Sequence, residues 1–207
     1  LVVDRPLSIQ AVFGDEIWVR FMKVPATADH GNFIIDGVLV ESADTTLLWV
    51  TGEEHTVTAS ELDLSVGGET RWVFDGWLIE GSLEPNPLVV VPMSAATYVA
   101  NYTTQHLVTF SKNPIDDTYG SLTVDGVAYT AGESVLQEFW FDEGSVHSYE
   151  VSEFDYAGVS ERYAFNSWLE TGSASLGGST GEVLAPASYT ASYDHQYSVT
   201  IDFSPDA

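Results

Sequence analysis

The sequence predicts an all-β protein of two tandem domains. Three observations carry that expectation: a long internal repeat, apolar residues that alternate with polar ones, and Asp-Gly pairs set between short apolar runs. The repeat is clearest where RWVFDGW (71–77) returns as RYAFNSW (162–168), with Arg71 and Arg162, Phe74 and Phe165, and Trp77 and Trp168 each 91 residues apart. A period of about 90 residues is far longer than the ~20–50 of solenoid repeats, so each copy is a whole domain.

Taken in chain order, PLSIQAVFGDEIWVRFMKVP (6–25) reads as a strand pair and lies over 95–114 at an offset of 89, placing Phe21, Lys23 and Pro25 on Phe110, Lys112 and Pro114. NFIIDGV (32–38) lies over SLTVDGV (121–127) at the same offset. Asp36-Gly37 and Asp125-Gly126 fit two-residue type I′ hairpins, because both central residues need positive φ. Trp49 is placed on Trp140, 91 residues on. In the repeated phrase, Trp72 and Phe74 (Tyr163 and Phe165) alternate with polar neighbours, but Trp77 and Trp168 come three residues after the Phe. A bulge at Asp75-Gly76 or Asn166-Ser167 turns that Trp back inward. Arg71 and Asp75 then share the outer face as a salt-bridge pair of little energetic weight.

ATYVANYTTQHLVTFSKNP (96–114) lies over ASYTASYDHQYSVTIDFSP (187–205), and Tyr197, Val199, Ile201 and Phe203 alternate with polar residues as in a strand with one wet face. No stretch carries a helical stripe. The expected cores hold Trp49, Phe74, Trp77, Tyr98, Trp140, Phe165, Trp168 and Tyr189. One strand pair is in surplus: it occurs at 7–21, 96–110 and 187–203, whereas the block with the Phe-Trp phrase occurs twice. Either the N-terminal copy completes the first domain, or it is donated to another chain through unpaired backbone groups, with Leu7, Ile9, Ala11 and Phe13 as the polymerisation strand.

The F-x-x-W phrase, the Gly- and Ser-rich loop GGSTGE (177–182), and A-x-Y leading into Q-x-x-V-T resemble the Ig-like repeats of prokaryotic surface proteins. They are similar to internalin B-type repeats and to repeats of archaeal S-layer, thermopsin-related and surface-filament proteins. The resemblance implies two tandem Ig-like β-sandwich domains with an extra N-terminal strand, at the cell surface, and it carries over no catalytic residue. The expected division is an N-terminal strand at 1–14, one sandwich at 15–104 and a second at 105–207.

The charge narrows the function classes. Thirty-one Asp and Glu face six Lys and Arg, a formal net charge of −25, which leaves no basic stripe for nucleic acid or an anionic membrane. Such acidity fits high salt, bound divalent cations, acid, or solubility alone. No apolar run approaches the ~20 residues that span a bilayer, so membrane insertion is not expected. The absence of Cys removes disulfides and thiolate metal sites. A start at Leu1 fits a processed form or an excised fragment, with processing favoured.

Candidate chemistry is sparse. His30, His55, His106, His147 and His195 form no HExxH spacing and read as strand-end or surface residues. Asp116-Asp117, Glu53-Glu54 and Asp142-Glu143 offer carboxylates to Ca²⁺ but lack EF-hand spacing, so solvated charge is the simpler reading and no cofactor is expected. Nucleophile elbows and phosphate loops are missing, and no catalytic residue is assigned. A β-sandwich acid peptidase stays open because its carboxyl pair would come from distant strands. Asn101-Tyr102-Thr103 is a glycosylation acceptor triplet, and Asn101 is expected to face outward. The expected function is that of an extracellular, non-enzymatic subunit of a prokaryotic surface filament, archaeal by the resemblance, whose partners are copies of itself joined head to tail, with glycans or cations as further partners. The alternatives are an S-layer or carbohydrate-binding adhesin, for which Trp18 is the candidate contact because Leu107 and Ser198 occupy its equivalents, and the acid peptidase.

Overall fold

Residues 14–26 and 32–202 are described by the structure, a computed structural model, and they are all-β apart from one 3₁₀ turn at Ala131–Ser134. The chain divides into two compact units, the first holding residues 14–64 and 72–103 and the second 65–71 and 104–202 of the described set.

In the first unit the strands are β1 (Glu16–Val24), β2 (Phe33–Ile35), β3 (Val38–Val40), β4 (Asp44–Val50), β5 (His55–Ala59), β6 (Leu62–Leu64), β7 (Thr70–Ile79), β8 (Ser82–Glu84) and β9 (Leu88–Val90). The next strand, β10 (Ala96–Asn113), supplies both units, residues 96–103 counting with the first and 104–113 with the second. The second unit continues with β11 (Ser121–Val124), β12 (Val127–Thr130), β13 (Leu136–Asp142), β14 (Val146–Val151), β15 (Phe154–Tyr156), β16 (Glu161–Trp168), β17 (Gly177–Glu182) and β18 (Ala187–Tyr197).

Each unit is a two-sheet sandwich on one plan. In the first, β6, β7, β10, β1 and β4 face β3, β2, β5 and β9. In the second, β15, β16, β18, β10 and β13 face β12, β11, β14 and β17. The first and last strands of each unit run parallel, Phe21 opposite Tyr98 and Phe110 opposite Tyr189. In both cases the paired rings stack, with centroids 5.4 and 5.3 Å apart. In the copy at 96–113 the repeated strand pair is thus one long strand, β10, the last strand of the first unit and the first of the second.

Local chemistry explains the elements. Asp36 and Asp125 both take φ of 50°, followed by Gly37 at 80° and Gly126 at 78°, and each closes a hairpin, β2–β3 and β11–β12. The register of β16 on β18 slips between Phe165 and Ser167, a bulge at Asn166, and Gly76 stands at φ 150° in the first copy. Trp77 and Trp168 are consequently sealed in the two cores, each about 3–5 kcal/mol of packing if truncated.

Four expectations are corrected. Trp140 lies outside the second core: β4 sets Trp49 opposite Ile17, whereas β13 sets Phe141 opposite His106, the residue equivalent to Ile17. Phe141 therefore holds the place of Trp49, and the one-residue slip sends Trp140 to the other face, where Arg71 lies 4.4 Å over its ring. Arg71 donates to Gln105 Oε1 (2.7 Å) and Asp75 accepts from Asn101 and Thr103, so the Arg71–Asp75 pair is replaced by neutral partners. The GGSTGE loop is the edge strand β17, where a Cβ on Gly178 would lie 2.7 Å from the Tyr149 hydroxyl, so glycine lets the strand close over that ring. The strand expected through 203 is formed as far as Tyr197 among the described residues, and beyond it the Ser198 amide donates to the Ser160 carbonyl at 2.8 Å. The extra N-terminal strand lies outside the described residues.

Candidate functional site

The chain has two lysines, Lys23 and Lys112, and neither has exposed side-chain surface. Lysine is rarely buried without a partner. Strand alternation puts them inside: Ile17, Val19, Phe21 and Lys23 share the inner face of β1, as His106, Val108, Phe110 and Lys112 share that of β10. Each finds a carboxylate on the short strand at the far side of its sheet, Lys23 Nζ donating to Asp63 Oδ2 on β6 and Lys112 Nζ to Asp155 Oδ2 on β15, both at 2.5 Å.

The surroundings of the two pairs differ. Lys23 sits against the rings of Phe33 and Tyr102, 5.8 and 5.1 Å from their centroids. Lys112 faces one ring, Tyr193 at 5.2 Å, donates to the Tyr119 carbonyl, and has a second fully buried carboxylate, Asp117, 3.8 Å away. Burial first, then the close approach of the Asp155 carboxyl, pushes the Asp117 carboxyl up to about 7, while the Lys112 charge opposes the rise. Asp117 Oδ2 and Asp155 Oδ1 both lack a donor. Gly120 makes room for the cluster, since a Cβ there would fall 1.6 Å from Asp155 Oδ1. Burial, aided by the neighbouring carboxylates, raises the phenols of Tyr102 and Tyr193, which stay protonated and donate to the carbonyls of Ser60 and Ser152.

A second polar constellation is also duplicated. Asp36 accepts from His55 Nδ1 at 2.7 Å and from the Thr56 amide at 2.9 Å, and Asp125 repeats this with His147 at 2.6 Å and Ser148 at 2.9 Å. The imidazoles stack on Trp49 and Phe141. Polar constellations are therefore duplicated along with the aromatic core residues. Their signal was present: E-x-D at 61–63 recurs at 153–155, and Asp63/Asp155 share with His55/His147 an offset of 92. Asp and His are common on wet faces, so the offset alone does not mark them as a site.

The other sequence-derived candidates stay apart from this cluster. Leu7, Ile9, Ala11, Phe13 and His30 lie outside the described residues. Asn101 is partly exposed mid-strand, its Nδ2 donating to Asp75 at 2.9 Å. His106 is buried, bonded to Thr70 at 3.0 Å, and His195 pairs with Glu161 at 2.6 Å. Of the acidic pairs, only Asp116-Asp117 reaches the cluster. Among the described residues no group of three or more His, Asp or Glu is arranged to hold a metal ion.

No family model and no curated protein matches the chain. Among solved structures it is similar to the Bacillus anthracis TIE protein (10% identity, 87% of this chain, TM-score 0.30), of which it spans 34% of the length. It is also similar to SHIRT domains 3–4 of a streptococcal cell surface protein (13% identity, 88% of this chain and 99% of that one, TM-score 0.27). A third is the major pilin of Streptococcus pyogenes (13% identity, 90% and 99%, TM-score 0.23).

Proposed function

We propose that this protein is a structural, non-enzymatic component of a prokaryotic cell exterior, whose sandwich modules join head to tail with copies of itself into a filament. The observation that carries the reading is an uncovered apolar stripe. Tyr197, Val199 and Ile201 correspond to His106, Val108 and Phe110 on the inner face of β10, yet they stand 67%, 80% and 71% exposed. Among the described residues each unit already holds its own first and last strands, so a neighbour's Leu7–Phe13 segment has no vacancy inside either sandwich. It matches the stripe instead. If the parallel register of β1 with β10 and of β10 with β18 is carried over, Ile9 of one copy would fall opposite Ile201 of the next.

Covering Val199 and Ile201 contributes roughly 1.5–3 kcal/mol each, and the net charge of −25 opposes the contact, so assembly strengthens with salt. Peptidase activity fits poorly, because Asp117 and Asp155 have no exposed surface for a peptide to reach. The test is sedimentation and imaging of the full chain in high salt, beside a form lacking residues 1–13 and a Val199→Asp/Ile201→Asp double variant. Loss of polymer in both altered forms is expected, and unchanged filaments in either overturn the reading. A glycan-binding adhesin is the second reading, since Trp18 is 60% exposed at a shallow depression with Arg20, Thr46 and Thr97. Glycan binding lost in Trp18→Ala would favour it. A glycan at Asn101 would displace the hydrogen bond to Asp75.

A further inference from the structure

A buried ammonium beside a buried carboxylate carries a desolvation cost that the ion pair only partly offsets, and in the second unit two carboxylate oxygens are additionally left without donors. One chemical change removes all of these costs together. We infer that Lys112 Nζ and Asp155 Cγ become joined by an intramolecular amide bond, with Asp117 carrying the protons. The inference concerns a single chain and does not depend on assembly.

The reaction needs no co-reactant. A proton passes from the Lys112 ammonium to the carboxyl groups, leaving a neutral amine beside a protonated Asp155. The nitrogen lone pair attacks Asp155 Cγ and forms the C–N bond. Asp117, as the acid, donates to the oxygen on which negative charge develops. It then relays the proton lost by nitrogen to the departing hydroxyl, and the C–O bond breaks with release of one water. Ammonium and carboxylate have become amide and water, so one positive and one negative charge disappear and net charge is conserved.

The geometry suits each role. Lys112 Nζ lies 2.5 Å from Asp155 Oδ2, with its stem fixed on the inner face of β10. Asp117 Oδ2 is 3.8 Å from the same nitrogen. The carbonyl of Tyr119 accepts from Nζ and orients it, and Gly120 leaves the space that Asp155 Oδ1 fills. With its carboxyl near 7, Asp117 is present in both protonation states close to neutral pH, as a proton carrier requires. After the reaction, protonated Asp117 donates to the new amide carbonyl, and both orphaned oxygens are satisfied. Exclusion of water from the cluster protects the product from hydrolysis.

The test uses the full chain, denatured. Its intact mass is expected to be lower than the sequence mass by one water. A lysine-specific endoprotease should cut after Lys23 but not after Lys112, leaving residues 24–207 as one fragment that the Lys112–Asp155 bond closes into a loop. Asp117→Asn should restore the full mass and cleavage after Lys112. A wild-type chain of full mass that is cut after Lys112 overturns the proposal without reference to any variant. A mass deficit with normal cleavage after Lys112 also overturns it, since the water has then left from elsewhere, such as Asp36-Gly37 or Asp125-Gly126. A bond that persists in Asp117→Asn overturns the role of Asp117.

Discussion

The two units share a fold, an aromatic core and a lysine at the same place on the first strand, but among the described residues the lysine's surroundings differ. Around Lys23 the described residues supply one carboxylate and two ring faces, a neutralised pair in an apolar setting. Around Lys112 a second carboxylate replaces one ring, a carbonyl is added, and a glycine opens the space beside Asp155. The sandwich frame therefore sets where the ammonium goes. In the second unit the loop after the first strand supplies Asp117, Tyr119 and Gly120, and a triad with a titrating acid has the parts for bond formation; residues 27–31, which correspond to that loop, lie outside the described ones.

The sharpest way to break this comparison is to remove one carboxylate from each unit and follow amide exchange at Trp77 and Trp168. Asp63→Ala leaves an uncompensated buried charge and is expected to cost about 3–5 kcal/mol in the first unit. Asp155→Ala should cost the second unit that much and the cross-link as well, which adds about 4 kcal/mol for a closed loop of this size (43 residues apart). Equal losses in the two units would erase the distinction. The paired replacements sharpen it: Lys23→Met with Asp63→Leu should be neutral or stabilising by roughly 1–4 kcal/mol, whereas Lys112→Met with Asp155→Leu should destabilise its unit.

A smaller effect tests the register correction. Trp49→Ala is expected to cost about 3–5 kcal/mol because the ring packs in the core against Phe21 and His55. Trp140→Ala should cost about 1 kcal/mol, the scale of its half-buried contact with Arg71. Similar losses measured by denaturant titration would restore the alignment of Trp49 on Trp140.

The smallest effect concerns the hairpin carboxylates, which are alike in the two units. Hydrogen bonds from His55 and the Thr56 amide hold Asp36 below the usual carboxylate range. Burial pulls Asp125 up, but the bonds from His147 and Ser148 outweigh it. A carboxylate depressed in the folded state contributes stability above its unfolded pKa of about 3.9 and loses it as pH falls through the folded value. Asp36→Asn and Asp125→Asn should therefore be less stable than the parent at pH 7, and the difference should vanish in acid below the folded pKa. A difference that grows on acidification would contradict the assignment.

The sequence by itself determined most of the strands, the two hairpins, the bulge before Trp168 and the doubling of the module, because each follows from local rules: alternation along a strand, positive φ at Asp-Gly, and the parity error that one extra residue corrects. It aligned Phe21, Lys23 and Pro25 on Phe110, Lys112 and Pro114, but the inward turn of both lysines came from the structure. Register and partnership were beyond it. Trp140 looked like the counterpart of Trp49, but a one-residue slip between β13 and β10 decides which face a side chain takes, and that slip is set by pairing across more than thirty residues of chain. Asp63, Asp155 and Asp117 read as ordinary acidic residues among thirty-one Asp and Glu. Only the closing of the sheets brought Asp117 and Asp155 to Lys112, where exclusion of water turns solvated charges into a reactive cluster.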